Sequence, residues 1–172
     1  SSISVFKDSD SNSEVLNFIS VNVLEINKIK EISHYTNIVF VLEISGNEAK
    51  ELKDFFNLLI INKITAPVVL SYTSDVKDVE RFQIESACAL GHFFIDGLAE
   101  GIFIKNDSIK EKNIPVSTAF SILQASRARF SKPEYISCPS CGRTIFDIES
   151  AVREVKRRTS HLKNIKIAIM GC

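Results

Sequence analysis

Apolar, β-branched runs alternate with stretches of helical periodicity along this chain, and no other feature constrains its fold as much. Residues 37–44 (NIVFVLEI) read as a buried strand, and 67–72 (PVVLSY) as a second. Between them, residues 48–61 place Leu52, Phe55, Phe56, Leu59 and Ile60 on one stripe of a helix. Ser74 and Asp75 can cap a helix running to about Leu90, with Gly91 as its stop. Residues 93–96 (FFID) read as a third strand, and 102–105 as a short one. Pro115 opens a helix to about Phe130 whose apolar face holds Val116, Ala119, Phe120 and Leu123. Strands and helices in alternation predict βα units over a parallel sheet. The fold class is α/β, either part of a (β/α) barrel or a doubly wound sheet. Functional groups in both gather at the C-terminal ends of strands, where this reading places Glu43, Ser45, Thr73, Ser74, Asp96 and Glu100.

Composition narrows the functional classes. The 172 residues carry 21 basic and 21 acidic side chains, a formal net charge of +0. A nucleic-acid binder needs a basic footprint, so that class is disfavoured. No apolar run is long enough to span a membrane. The chain opens in a polar Ser/Asp/Asn-rich stretch, residues 1–13, without an initiating Met, and stops directly after an apolar run. It therefore reads as cut at both ends.

Three of the four cysteines lie near the C-terminus. That is too uneven for a disulfide framework and points to metal or cluster ligation in a reducing compartment. Lys132 and Pro133 mark a boundary, because proline drives its predecessor out of the helical region. Beyond it, Cys138-Pro139-Ser140-Cys141-Gly142 forms a C-x-x-C knuckle. Thr144 and Asp147 read as a capping box for a helix over 145–162, with Ile148, Val152, Val155 and Leu162 inward. A strand at 165–170 then leads to Cys172. A C-x-x-C alone fits zinc knuckles, redox dithiols and iron–sulfur sites alike. One helix and one strand separate Cys172 from the knuckle, so a βαβ crossover would return it beside the turn. Three thiolates without a fourth suit a cubane cluster, whereas a structural zinc site is closed by four protein ligands. A zinc-knuckle binding module is the alternative. Cys88 is expected in the core as a small hydrophobe. His34 and His92 have no partners at ligand spacing, and His161 falls in a helix's last turn, where a partial positive charge is favourable.

Residues 136–147 (ISCPSCGRTIFD), 159–163 (TSHLK) and 167–172 (IAIMGC) closely resemble the 4-hydroxy-3-methylbut-2-enyl diphosphate synthase family. A weaker likeness runs from Gly91 through Arg129, over Asp96-Gly97-Leu98, Ile122-Leu123-Gln124 and Arg127-Ala128-Arg129. Residues 1–90 look like the extra domain of the long, plant- and chlamydia-type forms. The resemblance implies four segments: a linker or loop at 1–14, part of an inserted α/β domain at 15–90, the end of a TIM-type barrel at 91–131, and the start of an α/β iron–sulfur domain at 132–172. It implies a 4Fe–4S cluster on Cys138, Cys141 and Cys172, with a glutamate past Cys172 as fourth ligand. The implied reaction is reductive opening of methylerythritol cyclodiphosphate to hydroxymethylbutenyl diphosphate, in the non-mevalonate route to isoprenoids. Asp96 matches an acidic position near the substrate and Glu100 is a second candidate acid. Arg127 and Arg129 would bind diphosphate oxygens. Arg153, Lys156, Arg157 and Arg158 form a basic helical face that would dock an acidic ferredoxin or flavodoxin electron donor. A homodimer is the expected assembly. An Ile-, Lys- and Asn-rich composition points to an AT-rich genome and, with the long form, to a plastid or apicoplast stroma; a bacterial cytoplasm is the alternative.

Overall fold

The computed structural model describes residues 14, 16–21, 26–44 and 49–171, with 26, 27 and 49 described by backbone alone. Eight elements alternate first: β1 (Asn17–Val21), α1 (Ile26–Ile32), β2 (Ile38–Ile44), α2 (Ala49–Ile61), β3 (Val68–Thr73), α3 (Val79–Ile95), β4 (Gly101–Lys105) and α4 (Asn113–Ala125). The four strands are parallel and neighbour one another in chain order. This sequential order lacks the reversal of a doubly wound sheet. After a break at 131–133 come β5 (Glu134–Ser137), α5 (Ile148–Thr159) and β6 (Lys166–Ile169), in which β5 and β6 pair in parallel as a second sheet.

Right-handed crossovers between sequential parallel strands place the connecting helices on one face, and the burial pattern agrees. Ile19, Phe40, Leu42, Leu70 and Ile104 lie on one face by register and are buried. Ile29, Leu52, Phe55, Phe82, Leu90 and Phe93 from the helices join them in one core. The other face carries Phe18, Val41, Val69, Ser71 and Phe103. Its two phenylalanines are more than half exposed, at 54% and 56%.

Several expectations need correcting. β1 and α1 precede the first strand read from sequence; Asn17 and Ser20 blur the apolar signal of an edge strand. The strand expected at 93–96 is the last turn of α3, because Phe93 and Phe94 are buried on the same helical face as Phe82 and Leu90. Asp78, not Ser74 or Asp75, caps that helix, its carboxylate accepting from the Arg81 N–H at 2.8 Å. Gly91 does not stop it. Gly97 does, in a left-handed conformation (φ +66°), and the bonds Leu98 N–H to Phe93 O and Gly97 N–H to Phe94 O close the end. Residues 90 and 91 both lie inside α3, and the strands before and after α3 share one sheet. Cys88 is exposed rather than buried. It lies two residues, about 200° of helical turn, from the buried Ser86. Helix α4 ends at Ala125, so Arg127 and Arg129 follow it in a turn, with Arg127 left-handed (φ +61°). Val116 and Ile60, expected inward, are 56% and 63% exposed.

Candidate metal centre

The parallel pairing of β5 and β6 builds the site. Their register sets Ser137 against Ile169, so both chains leave the sheet at the same pole. The Cys138 N–H donates to Ile169 O at 3.0 Å and extends the ladder into the knuckle. The turn then closes on itself. Ser140 adopts a left-handed conformation (φ +67°), and the Thr144 N–H donates to Cys141 O at 2.9 Å. Thr144 Oγ1 accepts from the Cys141 N–H at 3.3 Å. Thr144 therefore braces the knuckle and takes no part in a capping box. Asp147 alone caps α5, accepting from the N–H groups of Glu149 and Ser150. The helix runs 148–159, shorter at both ends than expected.

Cys138 and Cys141 are free thiols, the first half-buried and the second exposed. Hydrogen bonds from the Arg143 backbone N–H and the Arg143 side chain, then from Thr144, hold the Cys141 thiol below its ordinary range. Donors converging on sulfur favour the thiolate, the form that ligates metal. Cys172 lies outside the described residues. Its neighbour does not: Gly171 packs so closely on Thr144 that a Cβ there would lie 2.8 Å from Thr144 Oγ1 and Cγ2. The chain at Gly171 therefore runs against the knuckle turn. Among the described residues, no three His, Cys, Asp or Glu side chains converge as a metal set. Cys138 and Cys141, the second with its pKa lowered by these donors, are the sulfur groups that the described turn presents.

A groove of about 570 Å³ adjoins the knuckle, lined by Cys138, Ser140, Phe146, Asp147 and Arg153 among others. Ile136, Phe146, Ile145 and Met170 are exposed around this unit, Ile145 at 94%.

The remaining candidates lie elsewhere. Asp96 is the C-cap of α3. Glu100 precedes β4, where its carboxylate accepts from the Val68 N–H at 2.7 Å. Both therefore sit at the N-terminal pole of the first sheet, not at the C-terminal strand ends where the sequence reading placed them. The cause is the helical state of 93–96, which reverses the direction of that segment. The Arg127 N–H donates to Gln124 O at 3.1 Å, and the guanidinium of Arg129 lies 5.3 Å from the centre of the Phe120 ring. Sequence reasoning missed Arg143, Thr144 and Gly171 as parts of the centre. All three lie within the motifs at 136–147 and 167–172, which is the signal that could have found them.

Residues 134–172 match the GcpE protein C-terminal domain. The chain is 43% identical over 126 residues to the 4-hydroxy-3-methylbut-2-en-1-yl diphosphate synthase (flavodoxin) of Bacteroides thetaiotaomicron, which covers 73% of this chain and 21% of that protein. Proteins of the same name from Porphyromonas gingivalis and Protochlamydia amoebophila are 36% and 37% identical over 145 residues, covering 84% and 83% of this chain and 25% and 21% of theirs. The chain thus spans a fifth to a quarter of the length of these bacterial relatives. These matches support the enzyme family that the cysteine motif resembles, over a zinc knuckle. Among the described residues, no helix is long and apolar enough to cross a membrane.

Proposed function

We propose that this chain supplies the cluster-binding part of a 4-hydroxy-3-methylbut-2-enyl diphosphate synthase, with Cys138, Cys141 and Cys172 as ligands of a 4Fe–4S cluster. The observation that supports this reading is the contact of Gly171, the residue before Cys172 in sequence, with Thr144 of the knuckle turn. When bound, such a cluster would supply single electrons and a Lewis-acidic iron for the reductive opening of a cyclic diphosphate. The protein's own share is the rest. The N–H groups of Arg143 and Thr144 stabilise sulfur charge, Ser140 shapes the turn, and the ladder bond from Cys138 to Ile169 fixes one ligand to the sheet.

Helix α5 supports a docking role for an electron donor. Its last turn holds Lys156, Arg157 and Arg158, and Arg153 lies one turn earlier. Glu154 pairs with both Arg157 and Arg158, at 2.8 and 2.6 Å. The face still carries an excess of positive charge, which suits an acidic flavodoxin or ferredoxin. The N-terminal pole occupied by Asp96 and Glu100 is the pole of stability in barrel-type folds, which favours structural roles for both. The sequential parallel strands suit one arc of such a barrel. The bacterial relatives favour a bacterial cytoplasm over a plastid stroma.

Anaerobic reconstitution with iron and sulfide tests the reading. The expected product is brown, oxygen-sensitive protein with about four irons per chain. Cys138→Ala and Cys172→Ala should each abolish it. A colourless protein holding stoichiometric zinc after both metals are offered refutes it.

A further inference from the structure

We infer that Gln124 is a positioning residue: it clamps the connector between the two α/β units, so that the second unit, with its knuckle, turns against α4 about a single backbone dihedral, ψ of Pro133. Gln124 makes four side-chain hydrogen bonds to the connector. Its Oε1 accepts from the Ser131 N–H at 3.2 Å, the Ser131 hydroxyl at 3.2 Å and the Lys132 N–H at 3.0 Å. Its Nε2 donates to Lys132 O at 3.1 Å. The residues before these are tied as well. The N–H groups of Ser126, Arg127 and Arg129 donate to Ile122 O, Gln124 O and Leu123 O at 3.0, 3.1 and 3.1 Å. The Arg129 guanidinium lies 5.3 Å from the centre of the Phe120 ring.

Little freedom is left beyond the clamp. The Lys132 N–H and C=O are both held, and the bond to the carbonyl fixes the peptide plane between 132 and 133. The Glu134 N–H donates to Ile165 O at 3.0 Å, which fixes the plane between 133 and 134 to the second sheet. Only φ and ψ of Pro133 lie between those two planes. The ring locks φ, and Pro133 is itself buried. Its ψ is the one soft torsion, and Lys166 of β6 reaches back over the Phe130 ring, 5.2 Å from its centre. The consequence is felt at the knuckle. The four residues of β5 separate the connector from Cys138, a reach of roughly 13 Å. A slack of about 20° at the connector would carry the cysteines about 5 Å sideways over that reach. Without the clamp, the torsions of Ser131 and Lys132 would add to the slack.

Residual dipolar couplings and amide exchange of the full, metal-free chain, labelled with nitrogen-15, test this role. In the parent, N–H couplings from α1–α4 and from β5, α5 and β6 should fit one alignment tensor. Gln124→Ala should split them into two tensors, the second unit's the smaller. It should also speed exchange of the Ser131 and Lys132 amides by about tenfold, the loss of roughly one hydrogen bond each. Gln124→Glu keeps an oxygen that accepts from both N–H groups and should keep those amides protected. One tensor for both units in Gln124→Ala overturns the role, as does a parent that already needs two. So does a Gln124→Glu chain that behaves like Gln124→Ala. Exchange that quickens equally throughout α4 also overturns it, because that marks a frayed helix rather than a released clamp. No cluster enters these readouts, so they stand or fall separately from the proposed redox chemistry.

Discussion

Replacing Gly171 by alanine tests whether the approach to the third cysteine is packed against the knuckle as described. The new Cβ would stand 2.8 Å from Thr144 Cγ2 and Oγ1 and 3.3 Å from Thr144 Cβ. Carbon atoms prefer roughly 3.5–4.0 Å, so the methyl overlaps its neighbours by about an ångström. Rotating the threonine about χ1 relieves only one of the two 2.8 Å contacts, because its single Cβ hydrogen can replace one heavy atom and not both. The third is to Cβ, which moves only with the backbone of the turn that carries Cys141. Overpacking of this kind costs about 1–3 kcal/mol, and relieving it by moving the turn should also lower cluster loading. Thr144→Ala removes Oγ1 and Cγ2 and leaves only the 3.3 Å approach. The double variant should therefore recover most of the loss, with a coupling of about 1–2 kcal/mol between the sites. Urea unfolding gives the stability, and iron per chain after reconstitution gives the loading. A Gly171→Ala chain as stable and as well loaded as the parent refutes the packing, and so does an equal loss with and without Thr144→Ala.

Other consequences follow from the same geometry. Phe40→Ala empties a fully buried site in β2 and should destabilise the chain by about 3–5 kcal/mol in denaturant. Gln124→Ala removes the clamp on residues 131–132 and should cost about 1–2 kcal/mol in the same assay. The Arg157 and Arg158 guanidiniums hold the Glu154 carboxyl down at about 2. Its folded pKa is depressed, so its support of α5 is complete above the ordinary carboxylate value of 4.5 and is lost as pH falls through about 2. Carbon-13 titration of Glu154 should show that low midpoint, and Arg157→Ala should raise it. Arg143→Ala should modestly slow alkylation of Cys141 in the metal-free chain at neutral pH, because the side-chain donor to sulfur is lost while the backbone N–H at 143 remains.

Local signals made much of this protein legible. Residues 37–44 and 67–72 are dense enough in β-branched side chains that both strands follow from pattern alone. The stripe of Leu52, Phe55, Phe56 and Leu59 likewise specifies which face of α2 is buried. The C-x-x-C knuckle and the break at Pro133 depend on neighbours a few residues apart, and both are plain in the sequence. What failed was anything decided between elements. Residues 93–96 have the composition of a strand, yet they stay helical because Phe93 and Phe94 continue the face begun by Phe82, which only the packed core reveals. Asp96 and Glu100 changed poles with that one reassignment. Cys88 turned outward because the face opposite it had more apolar surface to bury. At the knuckle, Cys138 and Cys141 announced sulfur ligation, but the parallel pairing of β5 and β6 and the close approach of Gly171 to Thr144 are visible only in the fold. Sequence carries periodicity and chemistry within a few residues; tertiary structure alone decides which pole a residue reaches, because the hydrophobic burial that selects it sums over distant parts of the chain.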